Sequence, residues 1–276
     1  MKKWFAVIGD PIEHSKSPAM HNVWFEEMAI DAAYIPVHVP SHQLEAAIAG
    51  LKTLGASGWN VTIPHKTAII PYLDELDELA EKMGAVNTVV RTKEGKLKGY
   101  NTDGLGFVRS LEEAVGKSHK DKPVLLIGAG GAARGIAFAM QQQGYTNLTI
   151  ANRTVANAQA MIDELGTGRA ISLAQAEESL ADFGILVQMT SAGLVTGDFS
   201  MPFSLNRLAK GAIVADIVYN PLMTHFLQAA VEKGATVVTG LGMFVHQGAI
   251  AFHHWLDEYP NTNSMIARLK AQLGGQ

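Results

Sequence analysis

Polar side chains recur along the first third of the chain at spacings that could hold a small ligand. Ser15-Lys16-Ser17 sets two hydroxyls two residues apart, on one side of an extended segment. Asn60-Val61-Thr62 repeats the pattern with an amide and a hydroxyl, leaving Trp59, Val61 and Ile63 for the opposite face. Asn101 and Asp103 share the same spacing, and Asn87-Thr88 ends the run Gly84-Ala85-Val86. Such groups suit a ligand carrying several hydroxyls and a carboxylate. Each also has an ordinary local reading: Ser17 as a helix N-cap, Asn101 and Asp103 in Asx turns, Asn60 in a bend. Lys66 follows in Asn60-Val61-Thr62-Ile63-Pro64-His65-Lys66. A lysine at the mouth of a cleft can shuttle a proton, provided its surroundings bring it down from the ordinary ~10.4. His14, His21 and His65, and the pair His253-His254, lack the spacing and carboxylate company of a zinc site, so no metal is expected.

A second kind of chemistry is written at Val124-Leu125-Leu126-Ile127-Gly128-Ala129-Gly130-Gly131-Ala132-Ala133-Arg134-Gly135. An apolar strand runs into a GxGxxA turn that opens a helix. Gly128 permits the tight turn, Gly130 lets a pyrophosphate approach the backbone, and Ala133 is small enough for helix–strand packing. The helix start aims N–H groups and its positive dipole end at phosphates. The next strand ends in Asn152-Arg153-Thr154. NAD-binding proteins usually place Asp or Glu there, on the ribose 2′-hydroxyl. A guanidinium in its place can hydrogen-bond a 2′-phosphate, so NADP is the expected dinucleotide.

The elements that must position these groups follow from composition and periodicity. The 276 residues are enough for one large or two medium domains. With 47% hydrophobic and 17% charged residues, wholesale disorder is excluded. A net charge of −4 gives no reason to expect nucleic-acid binding. No cysteine is present, which excludes disulfides and a thiolate nucleophile. The early charged residues do not resemble a signal peptide, and no apolar run reaches ~20 residues, so a soluble, cytoplasmic protein is expected.

Strands are expected at 4–9, 34–39 and 58–63, helices at 17–29, 44–54 and 74–83, and a hairpin of 85–91 with 96–101 around Glu94-Gly95. A connecting helix at 103–115 leads to the polar stretch 116–122, near which the domains should change. Strands at 124–127, 148–151, 185–189, 213–216 and 236–238 alternate with helices, the pattern of a parallel sheet covered on both faces. The expected class is α/β with two domains and a deep cleft between them. Residues 1–103 form a substrate domain, joined by C-terminal helices in 241–276, and residues 104–240 form a Rossmann-type doubly wound dinucleotide domain.

These blocks, taken together, resemble the shikimate dehydrogenase family. The resemblance is carried by Gly9-Asp10-Pro11-Ile12-Glu13-His14-Ser15-Lys16-Ser17-Pro18 with His21-Asn22, by the Asn60–Lys66 block, and by Gly84-Ala85-Val86-Asn87-Thr88. Gly99-Tyr100-Asn101-Thr102-Asp103-Gly104, the Gly128 turn, Asn152-Arg153-Thr154 and Thr190-Ser191-Ala192-Gly193 continue it. Asp216-Ile217-Val218-Tyr219-Asn220-Pro221 and Gly240-Leu241-Gly242-Met243 with Gln247 complete it. The resemblance implies reversible NADP-linked oxidation of shikimate to 3-dehydroshikimate, on the route to chorismate and aromatic amino acids. It implies that Ser15 and Ser17 hold the substrate carboxylate, and that Asn60, Thr62, Asn87, Asp103, Tyr219 and Gln247 surround the hydroxyls. Lys66 and Asp103 would be the catalytic pair, either able to serve as the formal base. Gly128, Ala129, Gly130, Gly131 and Ala132, with Asn152, Arg153 and Thr154, would bind cofactor phosphates. Ile217 and Gly240 would lie by the nicotinamide. The family includes monomers and homodimers, and neither nucleic acid nor membrane is an expected partner.

Two positions depart from the family pattern. A second basic residue often follows Asn-Arg-Thr, whereas this chain continues Val155-Ala156-Asn157-Ala158, which leaves Arg153 as the main 2′-phosphate group. Gln188 stands two residues before Thr190, where Asn is common. The nearest alternative is a quinate/shikimate dehydrogenase of dual NAD/NADP use, but those relatives more often carry an acidic residue where Asn152 stands. A non-catalytic NADP-binding sensor would lack Lys66 or Asp103, and both are present.

Overall fold

Strands buried on both faces form the centre of the first sheet of the computed structural model, which describes residues 2–190 and 203–274. Its strands are β1 (Lys3–Gly9), β2 (Ala32–His38), β3 (Gly58–Val61), β4 (Glu75–Leu76), β5 (Thr88–Arg91) and β6 (Leu97–Tyr100). They lie in the order β2-β1-β3-β5-β6-β4. The sheet is mixed: β1 runs parallel to β2 and β3, whereas β5 is antiparallel to β3 and β6. Ala6 and Ile8 of β1 and Trp59 and Val61 of β3 point into one core, with Leu44, Ile48 and Leu51 of α2 (Leu44–Thr53). The other face carries Phe5, Tyr34 and Asn60. Against it lie aromatic residues of α1 (Ser17–Glu27), and Phe252 and Trp255 from a helix late in the chain. Phe5 stacks on Trp255 with ring centroids 4.8 Å apart, and the Trp255 indole N–H donates to the Val89 carbonyl at 2.9 Å.

The helix expected over 74–83 is two elements. β4 adds an edge strand parallel to β6, and α4 (Glu78–Met83) begins only after Asp77, whose carboxylate accepts the Leu79 N–H. The helical spacing of 74–83 hid this capping residue. Short α3 (His65–Ala68) follows β3.

The second sheet is wholly parallel. Helix α5 (Asp103–Val115) precedes it, and its strands are β7 (Val124–Ile127), β8 (Leu148–Ala151), β9 (Arg169–Ile171), β10 (Ile185–Gln188), β11 (Ile213–Asp216) and β12 (Thr236–Val238). Their order, β12-β11-β10-β7-β8-β9, is the 3-2-1-4-5-6 arrangement of dinucleotide folds counted from β7. Helices α6 (Gly131–Gln142), α7 (Val155–Leu165), α8 (Leu173–Glu178) and α9 (His225–Glu232) connect the strands. Strand β9 was not expected, because three residues beginning with an arginine at a sheet edge carry no periodic signal. Helices α10 (Gly240–Leu256) and α11 (Thr262–Gly274) close the chain.

The chain divides into two compact units. The first comprises 1–102 with 247–265, the second 103–246 with 266–276. The polar stretch 116–122 lies inside the second unit rather than at a change of unit, and the C-terminal segment is shared between them. Among the described residues, no helix is long and apolar enough to cross a membrane.

Candidate active site

Strand register assembles the polar residues of the first unit. Asn60 lies opposite Thr88 in the β3–β5 pairing, so the two side chains meet across the strands. The Asn60 amide donates to Thr88 Oγ1 at 3.0 Å and to the Asn87 carbonyl at 3.1 Å. Asn87 Oδ1 in turn accepts the Thr102 N–H at 2.9 Å and the Thr88 hydroxyl at 3.0 Å. Asn60, Asn87, Thr88 and Thr102 are all buried, so this network is shielded from water and its geometry is firm. It fixes the backbone immediately before Asp103, the first residue of α5. Lys66, half-buried in α3, is anchored through its carbonyl, which accepts the Val86 N–H at 2.8 Å. Thr62 follows β3, its N–H bonded to the Ile8 carbonyl at 3.0 Å. Gln247 lies half-buried on α10.

The structure corrects two local expectations here. Residues 15–17 bend into the start of α1 rather than forming an extended segment: Lys16 is near-helical at φ −87, ψ −8, and takes the N-cap position without a side-chain cap. Ser17 is therefore the first helical residue rather than the cap, and its N–H reaches Ser15 Oγ at 3.3 Å. Ile63 does not join Trp59 and Val61 in the core; β3 ends at Val61 and Ile63 is 73% exposed. Asn101 braces the site from behind, donating to the Ala85 carbonyl at 3.0 Å.

The second unit presents an uncapped helix start. Gly128 has φ +112, a left-handed conformation that favours glycine, and a Cβ there would lie 2.9 Å from Thr190 Cγ2. Its N–H is tied to the Ala151 carbonyl at the end of β8, 2.8 Å away. Gly130 holds the N-cap position of α6 and offers no side-chain acceptor to the first helical N–H groups. A Cβ on Gly130 or Gly131 would meet nothing within 4 Å, so the space over these N–H groups is open. An open, uncapped helix start after the first strand of such a sheet fits a pyrophosphate. Ala129 is half-buried and Ala132 is exposed. At the end of β8 the Asn152 amide donates to the Thr154 carbonyl at 2.9 Å, which shapes the turn and leaves Arg153 exposed. Thr154 sits at the N-cap of α7 and makes no side-chain cap bond.

The β11 end carries a buried carboxylate, Asp216, to which the sequence assigns no role. Asp216 accepts the Val218 N–H at 3.0 Å and the Thr224 hydroxyl at 2.7 Å. Burial pushes its carboxyl up to about 6, against those two hydrogen bonds. Its effect is to clamp the turn that carries Ile217 and Tyr219. Gly240 packs on the same turn; a Cβ there would lie 2.3 Å from the Ile217 carbonyl oxygen. Tyr219 stacks on Phe244 at 4.7 Å, and burial raises its phenol. Gln188 fills the place where Asn is common by folding onto Thr190, donating to its hydroxyl at 2.7 Å and accepting its N–H at 3.1 Å. Ser191-Ala192-Gly193 lie outside the described residues. Among those described, no group of three or more metal-ligating side chains occurs.

Tyr34 was missed by sequence reasoning. It reads as one aromatic in a strand, yet its phenol donates to Asn60 Oδ1 at 2.6 Å.

Residues 7–89 match the shikimate dehydrogenase substrate binding domain, 110–217 the shikimate / quinate 5-dehydrogenase family, and 240–270 the shikimate 5′-dehydrogenase C-terminal domain. The chain is 85% identical to a shikimate dehydrogenase (NADP(+)) of Lysinibacillus sphaericus, covering 100% of both chains. A crystal structure of a shikimate dehydrogenase in complex with NADP+ superposes with a TM-score of 0.90 at 37% identity, over 99% of this chain and 96% of that one. Shikimate 5-dehydrogenase from Thermus thermophilus, in complex with NADP(H) and shikimate, gives 0.87 at 35% identity, over 96% and 97%. With all three family regions in order and 85% identity over the full length of a curated relative, the chain belongs to the shikimate dehydrogenase family.

Proposed function

We infer that this protein catalyses the reversible NADP-dependent oxidation of shikimate to 3-dehydroshikimate, a step in aromatic amino-acid biosynthesis. The observation that carries the reading is 85% identity, over the whole length of both chains, to a shikimate dehydrogenase (NADP(+)). The Rossmann-type sheet with an open, uncapped helix start supports it in the second unit, and the buried polar network supports it in the first.

NADP, when bound, supplies the acceptor for the hydride. The remaining work belongs to the protein. Ser15 and Ser17 bind the substrate carboxylate. Asn60, Thr62, Asn87, Tyr219 and Gln247 bind and orient the ring hydroxyls. Lys66 takes the proton of the reacting hydroxyl and returns it in the reverse direction; Asp103 orients that hydroxyl and steadies the ammonium. Gly128, Ala129, Gly130, Gly131 and Ala132 offer backbone to the pyrophosphate. Asn152 shapes the turn from which Arg153 and Thr154 meet the 2′-phosphate, and Ile217 and Gly240 border the nicotinamide. A cytoplasmic location fits a cysteine-free chain.

The test is a panel pairing shikimate or quinate with NADP or NAD, followed by nicotinamide absorbance. Turnover strongest with shikimate and NADP is expected. Equal efficiency with quinate or with NAD would move the protein to the dual-specificity branch.

A further inference from the structure

Asp216 has no place in the chemistry above, yet both of its carboxylate oxygens are engaged at the end of β11. Oδ1 accepts the Val218 N–H two residues on, at 3.0 Å, which closes a small loop around Ile217. Oδ2 accepts the Thr224 hydroxyl at 2.7 Å. Thr224 is itself fixed, because its hydroxyl oxygen caps α9 by accepting the Leu227 N–H at 3.3 Å. Asp216 and Thr224 are both buried. A buried carboxylate is costly to keep, but two donors converge here, and a carboxylate offers an acceptor to each. One side chain thus ties the segment after β11 to the start of α9.

The enclosed backbone is held from its other sides as well. The Ile217 N–H donates to the Gln188 carbonyl at the end of β10, 3.2 Å away, and the Val218 carbonyl accepts the Gly240 N–H at 3.2 Å. Gly240 comes this close because it has no side chain; a Cβ there would lie 2.7 Å from the Val218 carbonyl carbon. Tyr219 follows directly, half-buried and stacked on Phe244. The groups assigned to the cofactor phosphates stand elsewhere, at the start of α6 after β7 and at Arg153 after β8. In the sheet, β10 separates β11 from β7, and β8 lies beyond.

We propose that Asp216 is a positioning residue for the hydride step. Through Val218 and Thr224 it holds Ile217 and Tyr219 in place, and it adds nothing to the grip on NADP. This rests on the placement given above of Ile217 by the nicotinamide and Tyr219 by the ring hydroxyls. Loosening the turn at β11 disturbs orientation, to which rate is steeply sensitive, and spares the phosphate contacts that hold the cofactor.

The experiment compares Asp216→Ala, which removes both acceptors, with Asp216→Asn, which keeps one for the Val218 N–H. Thr224→Val removes only the second arm, with little change in shape, and decides alone if Asp216→Ala does not fold. The first-turnover rate of nicotinamide reduction is read at saturating shikimate and NADP, beside NADP binding by titration. The rate should fall about 10- to 100-fold in Asp216→Ala and about three- to tenfold in Thr224→Val. Asp216→Asn should stand nearer the parent than Asp216→Ala does. The dissociation constant for NADP should stay within about twofold throughout. A variant that is only less stable loses amplitude in the first turnover, not rate. In the ligand-free protein, amide hydrogen exchange over 217–219 should quicken in Asp216→Ala. A parent-like rate, NADP binding weakened as much as the rate, an Asn variant no better than Ala, or unchanged exchange over 217–219 would each overturn the proposal. If the parent protein itself does not reduce NADP with shikimate, the reading of the reaction fails and takes the proposal with it.

Discussion

In the proposed assignment, Lys66 carries the chemical role and Arg153 the selective one. Replacing Lys66 by Ala removes the group assigned to the proton, so kcat should fall by about 10²- to 10⁴-fold while shikimate still binds. Isothermal titration beside turnover measurements checks this, and near-native turnover would remove Lys66 from the chemistry. Arg153 stands exposed at the turn after β8, without a second basic residue in the four that follow Thr154. Arg153→Ala should therefore raise KM for NADP about tenfold or more and leave KM for NAD almost unchanged, since only NADP offers the extra phosphate. Equal effects on both cofactors would sink the 2′-phosphate assignment. A third residue-level expectation concerns His21. Neither of its ring nitrogens has a hydrogen-bond partner, and burial lowers its pKa to about 3. The unfolded chain binds a proton here below about 6.5 and the folded chain does not, so acid favours unfolding. His21→Leu should flatten the loss of stability between pH 6.5 and 4. Urea titrations of both proteins across that range measure it, and parallel pH curves would refute the attribution.

At the scale of elements, legibility followed periodicity. The strands Val124–Ile127, Leu148–Ala151, Ile213–Asp216 and Thr236–Val238 and the helix Asp103–Val115 stand where the apolar pattern put them. Strands β4 and β9 escaped because two or three residues at a sheet edge have no period to show. The site was less legible than the frame. Ser17, Asn60 and Asn87 stand out by type and spacing, whereas Tyr34 lies 26 positions before Asn60 and becomes its partner only through the order β2-β1-β3. Asp216 was readable as an acid ending an apolar strand, but its grip on Val218 and Thr224 belongs to the folded turn. Asn22 clamps α1 to β2 by two hydrogen bonds to the Tyr34 backbone, so Asn22→Ala should cost about 1–3 kcal/mol by stranding two backbone groups. Chemical unfolding measures this loss, and a change below a few tenths would show that water replaces the clamp.

For the molecule as a whole, the first unit is not contiguous in sequence. Residues 247–265 complete it, bringing Phe252 and Trp255 onto Phe5, Phe25 and Trp24. Losing one buried Phe or Trp costs about 3–5 kcal/mol, and total stabilities are commonly 5–15. A chain ending at residue 246 loses both at once, and its first unit should fail to fold cooperatively; a sharp tryptophan-detected transition in that truncation would contradict this. The same aromatic cluster makes the protein spectroscopically lopsided. All four tryptophans, Trp4, Trp24, Trp59 and Trp255, fall in the first unit. Indole emission therefore watches the unit to which shikimate binding is proposed and is blind to the unit proposed for NADP. Any displacement of the emission-detected melting curve by NADP alone is a direct reading of how far one half's occupancy is felt by the other.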